Sequence, residues 1–104
     1  MNNVTLNAAV IEAKPIRYTP AGLPILELTL AHASDIEHAG MLRRVDLTIA
    51  ATAIGDLALL LADITMGSQL VVNGFLAPQR KGAKRLILHL QSAQHLTSES
   101  TTVV

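Results

Sequence analysis

Residues Ile25–His32, ILELTLAH, place Leu26, Leu28 and Leu30 on one side of an extended chain and Glu27 and Thr29 on the other. A period of two is a β-strand period, and no helix keeps that apolar set on one face. The pattern recurs. Val4, Leu6, Ala8 and Val10 alternate with Asn3, Thr5, Asn7 and Ala9. Over Met41–Ala51, Val45, Leu47 and Ile49 are expected to face a core, with Arg44, Asp46 and Thr48 facing out. Gln69–Leu76 and Lys84–Leu96 supply two more strands. The chain is thereby bound to a sheet whose strands each bury one face.

The punctuation between strands sets their order. Lys14–Pro24, KPIRYTPAGLP, holds three prolines and a glycine, so it is a turn or an irregular excursion at a sheet edge. Ser34–Gly40 is polar and ends in glycine, which predicts a loop. The period then changes: Ile54, Leu57, Ala58 and Leu61 lie on one face of a helix, with Thr52 as its N-cap and Asp56 in its first turn. Thr65-Met66-Gly67-Ser68 closes that segment. Three strands, a helix and two strands give an all-β chain. The expected fold is an OB-fold five-stranded Greek-key barrel with a short helix between strands 3 and 4. Residues 1–96 form one domain, and the Ser/Thr-rich residues 97–104 form a mobile C-terminal tail.

Composition narrows the chemistry. A chain of 104 residues supports one core, and with Tyr18 and Phe75 as the sole aromatics that core is aliphatic. The absence of cysteine removes disulfides, thiolate nucleophiles and Cys-based metal sites, and fits a reducing cytoplasm. The N-terminus has no basic segment followed by an apolar run, so no signal peptide is read. The apolar run Ile54–Ile64, broken by Gly55, Asp56 and Asp63, is too short to span a membrane. Eight Lys and Arg balance eight Asp and Glu, but unevenly. Residues 1–63 hold four basic and seven acidic side chains, whereas residues 64–98 hold four basic and none acidic. Local potential, not the total, steers a polyanion.

Those four cations share one place. Gly74–Gln91, GFLAPQRKGAKRLILHLQ, has the pattern of a hairpin with Pro78 and Gly82 in its turn, and Arg80, Lys81, Lys84 and Arg85 stand at its tip. A basic fork on two strands suits a phosphate backbone, and a solvated loop is the plainer alternative.

Two stretches carry a resemblance. KPIRYTPAGLPILELTLAH (14–32) and TMGSQLVVNGFL (65–76) resemble the early segment and the fourth-strand entry of bacterial single-stranded-DNA-binding proteins. Within that superfamily the short chain resembles the primosomal replication protein N family, with AGLP after the first strand and GF before a basic hairpin ending Leu86-Ile87-Leu88-His89. The resemblance implies a homodimer that binds single-stranded DNA. It also implies a place in replication restart between a PriA-type helicase and a DnaT-type primosome protein. Arg17 and Arg85 match basic positions of the family, and Arg80, Lys81 and Lys84 match in character. Two features depart from it: the hairpin is shorter and less rich in Lys, and Asp46 stands where the family places a stacking Trp.

The candidate nucleic-acid-binding residues are therefore Arg17, Tyr18, Arg44, Arg80, Lys81, Lys84 and Arg85, with Lys14 and Arg43 as nearby cations. Tyr18 is the one exposed aromatic expected, because Phe75 at the end of an apolar strand belongs to the core. Such a surface predicts weak, salt-sensitive, sequence-tolerant binding, since base–aromatic stacking is worth about 1–3 kcal/mol per base. Plainer readings stand beside it. Arg43 and Arg44 pair with Asp46 or Glu27, Tyr18 packs on the proline turn, and Gly22, Gly67 and Gly74 serve turns and close strand packing. His32, His38, His89 and His95 are the only acid–base or metal candidates; His89 and His95 lie too far apart on one strand to share an ion, and no nucleophile–base pair is visible. We expect no enzyme, no metal and no cofactor. The rival to a DNA-binding protein is a protein–protein interaction adaptor with weak or vestigial DNA binding. A small-ligand OB domain ranks lower for want of aromatics.

Overall fold

Each alternating segment forms a strand in the computed structural model, which describes residues 1–96. In chain order these are β1 (Val4–Ala13), a two-residue β2 (Arg17–Tyr18), β3 (Pro24–His38), β4 (Met41–Ile54), helix α1 (Asp56–Ala62), β5 (Gln69–Pro78) and β6 (Leu86–Leu96). The long strands bond in the order β1-β5-β6-β4-β3, and β3 also pairs with β1, which closes the barrel. All of these pairings are antiparallel except β4–β6, which is parallel at Ala51↔Leu88 and Thr52↔His89. This is the expected OB barrel, its helix between the third and fourth long strands. The expected mobile tail at 97–104 lies outside the described residues.

Alternation fills the interior. Val10, Leu26, Leu30, Leu70, Val72 and Leu88 are the largest fully buried side chains, joined by Ala51, Ala53, Ala58 and Leu61. The core is aliphatic, as the shortage of aromatics requires. Gly74 is needed for contact, not for its turn propensity: a Cβ there would stand 2.1 Å from the carbonyl oxygen of His89. It sits where the β5–β6 register slips, between Asn73↔Ser92 and Gly74↔Leu90, so that only a residue without a side chain lets the two backbones close.

Four expectations are corrected. First, Ser34–His38 is strand and not loop. It pairs residue by residue with Met41–Val45, and only Ala39 and Gly40 turn, both at positive φ. The resulting arm projects past the barrel, so both its faces meet water and its polar sequence hides the strand. Second, Val45 and Leu47 keep the parity of Ile49, Ala51 and Ala53, but Leu47 is exposed and Val45 only half-buried. Third, the helix is capped by Gly55 and not by Thr52, which stays in β4 together with a half-exposed Ile54. Asp56 does occupy the first turn, and Ala58 and Leu61 are the buried positions. Fourth, Phe75 is outside the core. It stands on the outer face of β5 and stacks on His89 of β6, with ring centroids 5.1 Å apart.

Candidate nucleic-acid interface

The outer face of β3 and β4 is built from residues of fixed parity. Leu26, Leu28 and Leu30 point inward, so Glu27, Thr29, Ala31, Ala33, Asp35 and Glu37 point outward; opposite them on β4 stand Thr52, Ala50, Thr48, Asp46, Arg44 and Leu42. Along this face the charge changes sign. At the β2 end Arg17 Nε donates to Glu27 Oε2 at 3.2 Å, and Tyr18 beside it is 59% exposed. The centre, Ala31 opposite Thr48, is neutral. At the arm end Asp35, Glu37 and Asp46 surround Arg44 on the same face.

Arg44 is held at this acidic end. Its Nε donates to Asp46 Oδ2 at 3.2 Å, and its Nη1 lies 3.7 Å from Asp35 Oδ1. The hydrogen bond donated to Asp46, then the charges of Asp46 and Asp35, raise the guanidinium pKa above its ordinary value. The fork is thereby turned toward carboxylates and away from any phosphate. Arg43 is on the opposite face of the arm, with Nη1 3.4 Å from His38 Nδ1. Of the pairings expected for these arginines, Arg44–Asp46 forms, and Glu27 is taken by Arg17.

At the other end a polar pocket of about 280 Å³ joins β1, β3, β4 and the foot of the β5–β6 hairpin. Lys14 and Arg85 line it, with Glu12, Glu27, Thr29 and Gln79. Its carboxylates are partly occupied: Glu12 accepts from the Thr29 hydroxyl at 3.1 Å, and Glu27 is paired with Arg17. The hairpin itself runs from Pro78, paired with Leu86, through Gly82 at φ +86. Lys84 and Arg85, expected to open the last strand, belong to its loop. Arg80, Lys81, Lys84 and Arg85 are all exposed.

The structure therefore places Arg85 in the pocket and Arg17 beside it through Glu27, with Tyr18 next to Arg17 on β2 and Arg80, Lys81 and Lys84 on the loop between Gln79 and Arg85. Arg44 does not join them. It lies eight residues from Thr52 along β4, roughly 26 Å at about 3.3 Å per residue. The Phe75–His89 stack is on the outer face of β5–β6, and His89 Nε2 is 3.3 Å from the Ala77 carbonyl. Arg85 is the one pocket residue from the expected set; Lys14 and Gln79 are among those outside it. Lys14 was visible as a cation next to the proline turn, whereas Gln79 carries no sequence signal.

A larger groove of about 700 Å³ opens where β1 and β3 diverge. Ala9, Ala31, Ala33, Leu47 and Leu96 make its apolar wall, Asp46 contributes the one formal charge, and neither Lys nor Arg lines it. Among the described residues no three His, Cys, Asp or Glu side chains gather as metal ligands. No helix among them is long and apolar enough to cross a membrane.

Comparison with known proteins points the same way. A family model described as another single-strand binding protein family matches residues 2–92. The replication restart protein PriB of Bordetella pertussis is 54% identical over 96 residues, covering 92% of this chain and 90% of that protein. The structure of PriB from Ralstonia solanacearum superposes with a TM-score of 0.84 at 35% identity, covering 93% of this chain and 99% of that one. A single-stranded DNA binding protein from Thermus aquaticus superposes with a TM-score of 0.75 at 25% identity, covering 96% of this chain and 52% of that one.

Proposed function

The chain belongs to the PriB family of replication restart proteins, within the single-strand binding protein family, and from that premise we propose that it binds single-stranded DNA in the replication-restart primosome. The carrying observation is the polar pocket lined by Lys14 and Arg85, with Arg17 bonded to its Glu27 and the Arg80–Lys84 loop running between its Gln79 and Arg85. The strand enters between the first turn and the hairpin. Phosphates meet the exposed loop cations, and Tyr18 offers the one exposed ring for a base. The protein acts by binding and not by catalysis, in the cytoplasm, as a single domain over residues 1–96.

Binding here is electrostatic and sequence-tolerant. Each phosphate neutralised releases counterions, while the stacking that strengthens most single-strand binders is confined to Tyr18. Arg44 belongs to a different function, since Asp35 and Asp46 already hold it. This acidic arm favours the adaptor reading as a companion to DNA binding: one end of the face suits a polyanion and the other repels it. A PriA-type helicase and a DnaT-type protein are the partners the family offers for the remaining surface.

Homodimerisation is part of the proposal. β5 pairs with Val4–Ala9, but β3 joins β1 only from Ala9 onward, so among the described residues the second edge of Val4–Ala8 has no strand beside it. The Asn7 carbonyl on that edge lies 2.7 Å from His32 Nδ1. Two such edges pair about a two-fold axis, with the adjoining apolar groove covered. The test is fluorescence anisotropy with a labelled single-stranded oligonucleotide at low salt. Arg80→Ala/Lys81→Ala/Lys84→Ala/Arg85→Ala should weaken binding at least about tenfold; unchanged binding would overturn the placement. Light scattering at micromolar concentration should give twice the chain mass, and a monomer would count against the edge pairing.

A further inference from the structure

Helix α1 buries less apolar surface than its sequence offers. In Asp56–Ala62, DLALLLA, only Ala58 and Leu61 are buried. Leu59 is 47% exposed and Leu60 67%, and Ile54 and Leu23 next to the helix entry are 47% and 45% exposed. These residues adjoin. Ile54 pairs with Ile25, the Gly55 amide donates to the Pro24 carbonyl, Leu23 Cδ1 is 4.0 Å from where a Gly55 Cβ would be, and the Leu59 amide reaches back to the Gly55 carbonyl. Leu23 and Ile54 thus flank the helix entry, and Leu59 and Leu60 are exposed on the helix itself.

The charges on the helix and its C-cap are of one sign, and the nearest cation through the strand pairing is Arg17, paired with Ile25 and bonded to Glu27. Asp56 and Asp63 are exposed on the solvent side of the helix, between the directions of Leu59 and Leu60 at 100° per residue. No Lys or Arg occurs from Val45 to Gln79. Asp56 suits the helix N-terminus. Asp63 is the C-cap residue, where the macrodipole disfavours an anion, and no basic side chain in the last turn offsets it. Its position therefore works against the helix and calls for a reason outside it.

We infer that α1, with Leu23 and Ile54, is a docking face for an amphipathic segment of another protein that carries aliphatic anchors flanked by lysine or arginine. Leu59 and Leu60 receive the anchors, and Asp56 and Asp63 receive the cations. The same carboxylates repel nucleic acid and anionic lipid. Tyr18 of the proposed nucleic-acid site pairs with Pro24 beside Leu23, whereas Leu60 and Asp63 belong to the helix and its C-cap, so these two are the positions that test docking apart from DNA binding.

The test uses the full chain and a labelled synthetic helix of about 15 residues with leucines at i, i+3 and i+7 between lysines. Expected are amide NMR shifts confined to Leu23–Pro24 and Ile54–Ile64, and affinity at least about tenfold above that of the same peptide with glutamates for lysines. Leu60→Ser should lower affinity by about tenfold. Asp63→Lys should lower it similarly while the thermal midpoint holds or rises, which separates docking from a structural role. Both variants should bind a single-stranded oligonucleotide as the native chain does. Equal binding of the two peptides, shifts centred elsewhere, insensitivity to both variants, preference for anionic phospholipid vesicles, or burial of Leu60 in a self-associated dimer would overturn the inference.

Discussion

Asp46 bonds Arg44 at 3.2 Å on the outer face of β4, where the family resemblance expects a stacking ring. The carboxylate takes the place of that ring and engages the guanidinium of its neighbour. Asp46→Trp should restore both and extend the binding face toward the arm, tightening single-strand binding by about 1–3 kcal/mol, the worth of one stacked base, with a salt dependence no weaker than the native one because Arg44 is released; anisotropy at two ionic strengths measures it. Gly74 is constrained by contact instead of charge. Adding a methyl group 2.1 Å from the His89 carbonyl oxygen forces the β5 and β6 backbones apart, so Gly74→Ala should destabilise by about 1–3 kcal/mol in urea unfolding. Both residues could be singled out from sequence, Asp46 by its outward parity and Gly74 by its place before Phe75. The second carboxylate on Arg44 could not be, because Asp35 meets it only through the β3–β4 register.

At the scale of elements, the barrel strands were legible wherever one face is buried. β1, the first half of β3 and the start of β5 follow their alternation into the core. Legibility failed where burial stops. Ser34–His38, expected as a loop, pairs beyond the barrel with Met41–Val45, which the sequence does mark as strand; wet on both faces, the former writes no period into its sequence. The helix declares itself by its own period, but its cap is Gly55 at φ +77, three residues after Thr52. The arm turn carries a prediction of its own. Ala39 has φ +55 beside Gly40 at +79, the pattern of a tight hairpin turn in which an L-alanine is strained. Ala39→Asn should stabilise the arm by about 0.5–1 kcal/mol, read as slower amide exchange over residues 33–46 with little change in the global midpoint.

Across the whole molecule, neutral net charge conceals an ordered separation. Cations gather on the hairpin and around the Lys14–Arg85 pocket; carboxylates gather on the arm and on α1. The sign and place of the hairpin charges were legible because they are contiguous in sequence. The pocket was not, because it joins residues 12, 14, 27, 29, 79 and 85 from four parts of the chain. This separation is what the proposed function uses: one region for DNA and others for proteins. The decisive measurement is the salt dependence of single-stranded oligonucleotide affinity for the native chain and for the Arg80/Lys81/Lys84/Arg85→Ala variant. On a log–log plot the native slope should be steep, about −0.7 for each phosphate neutralised, and the variant slope shallower by about two to three. Parallel slopes, or a native affinity indifferent to salt, would contradict binding through the hairpin cations.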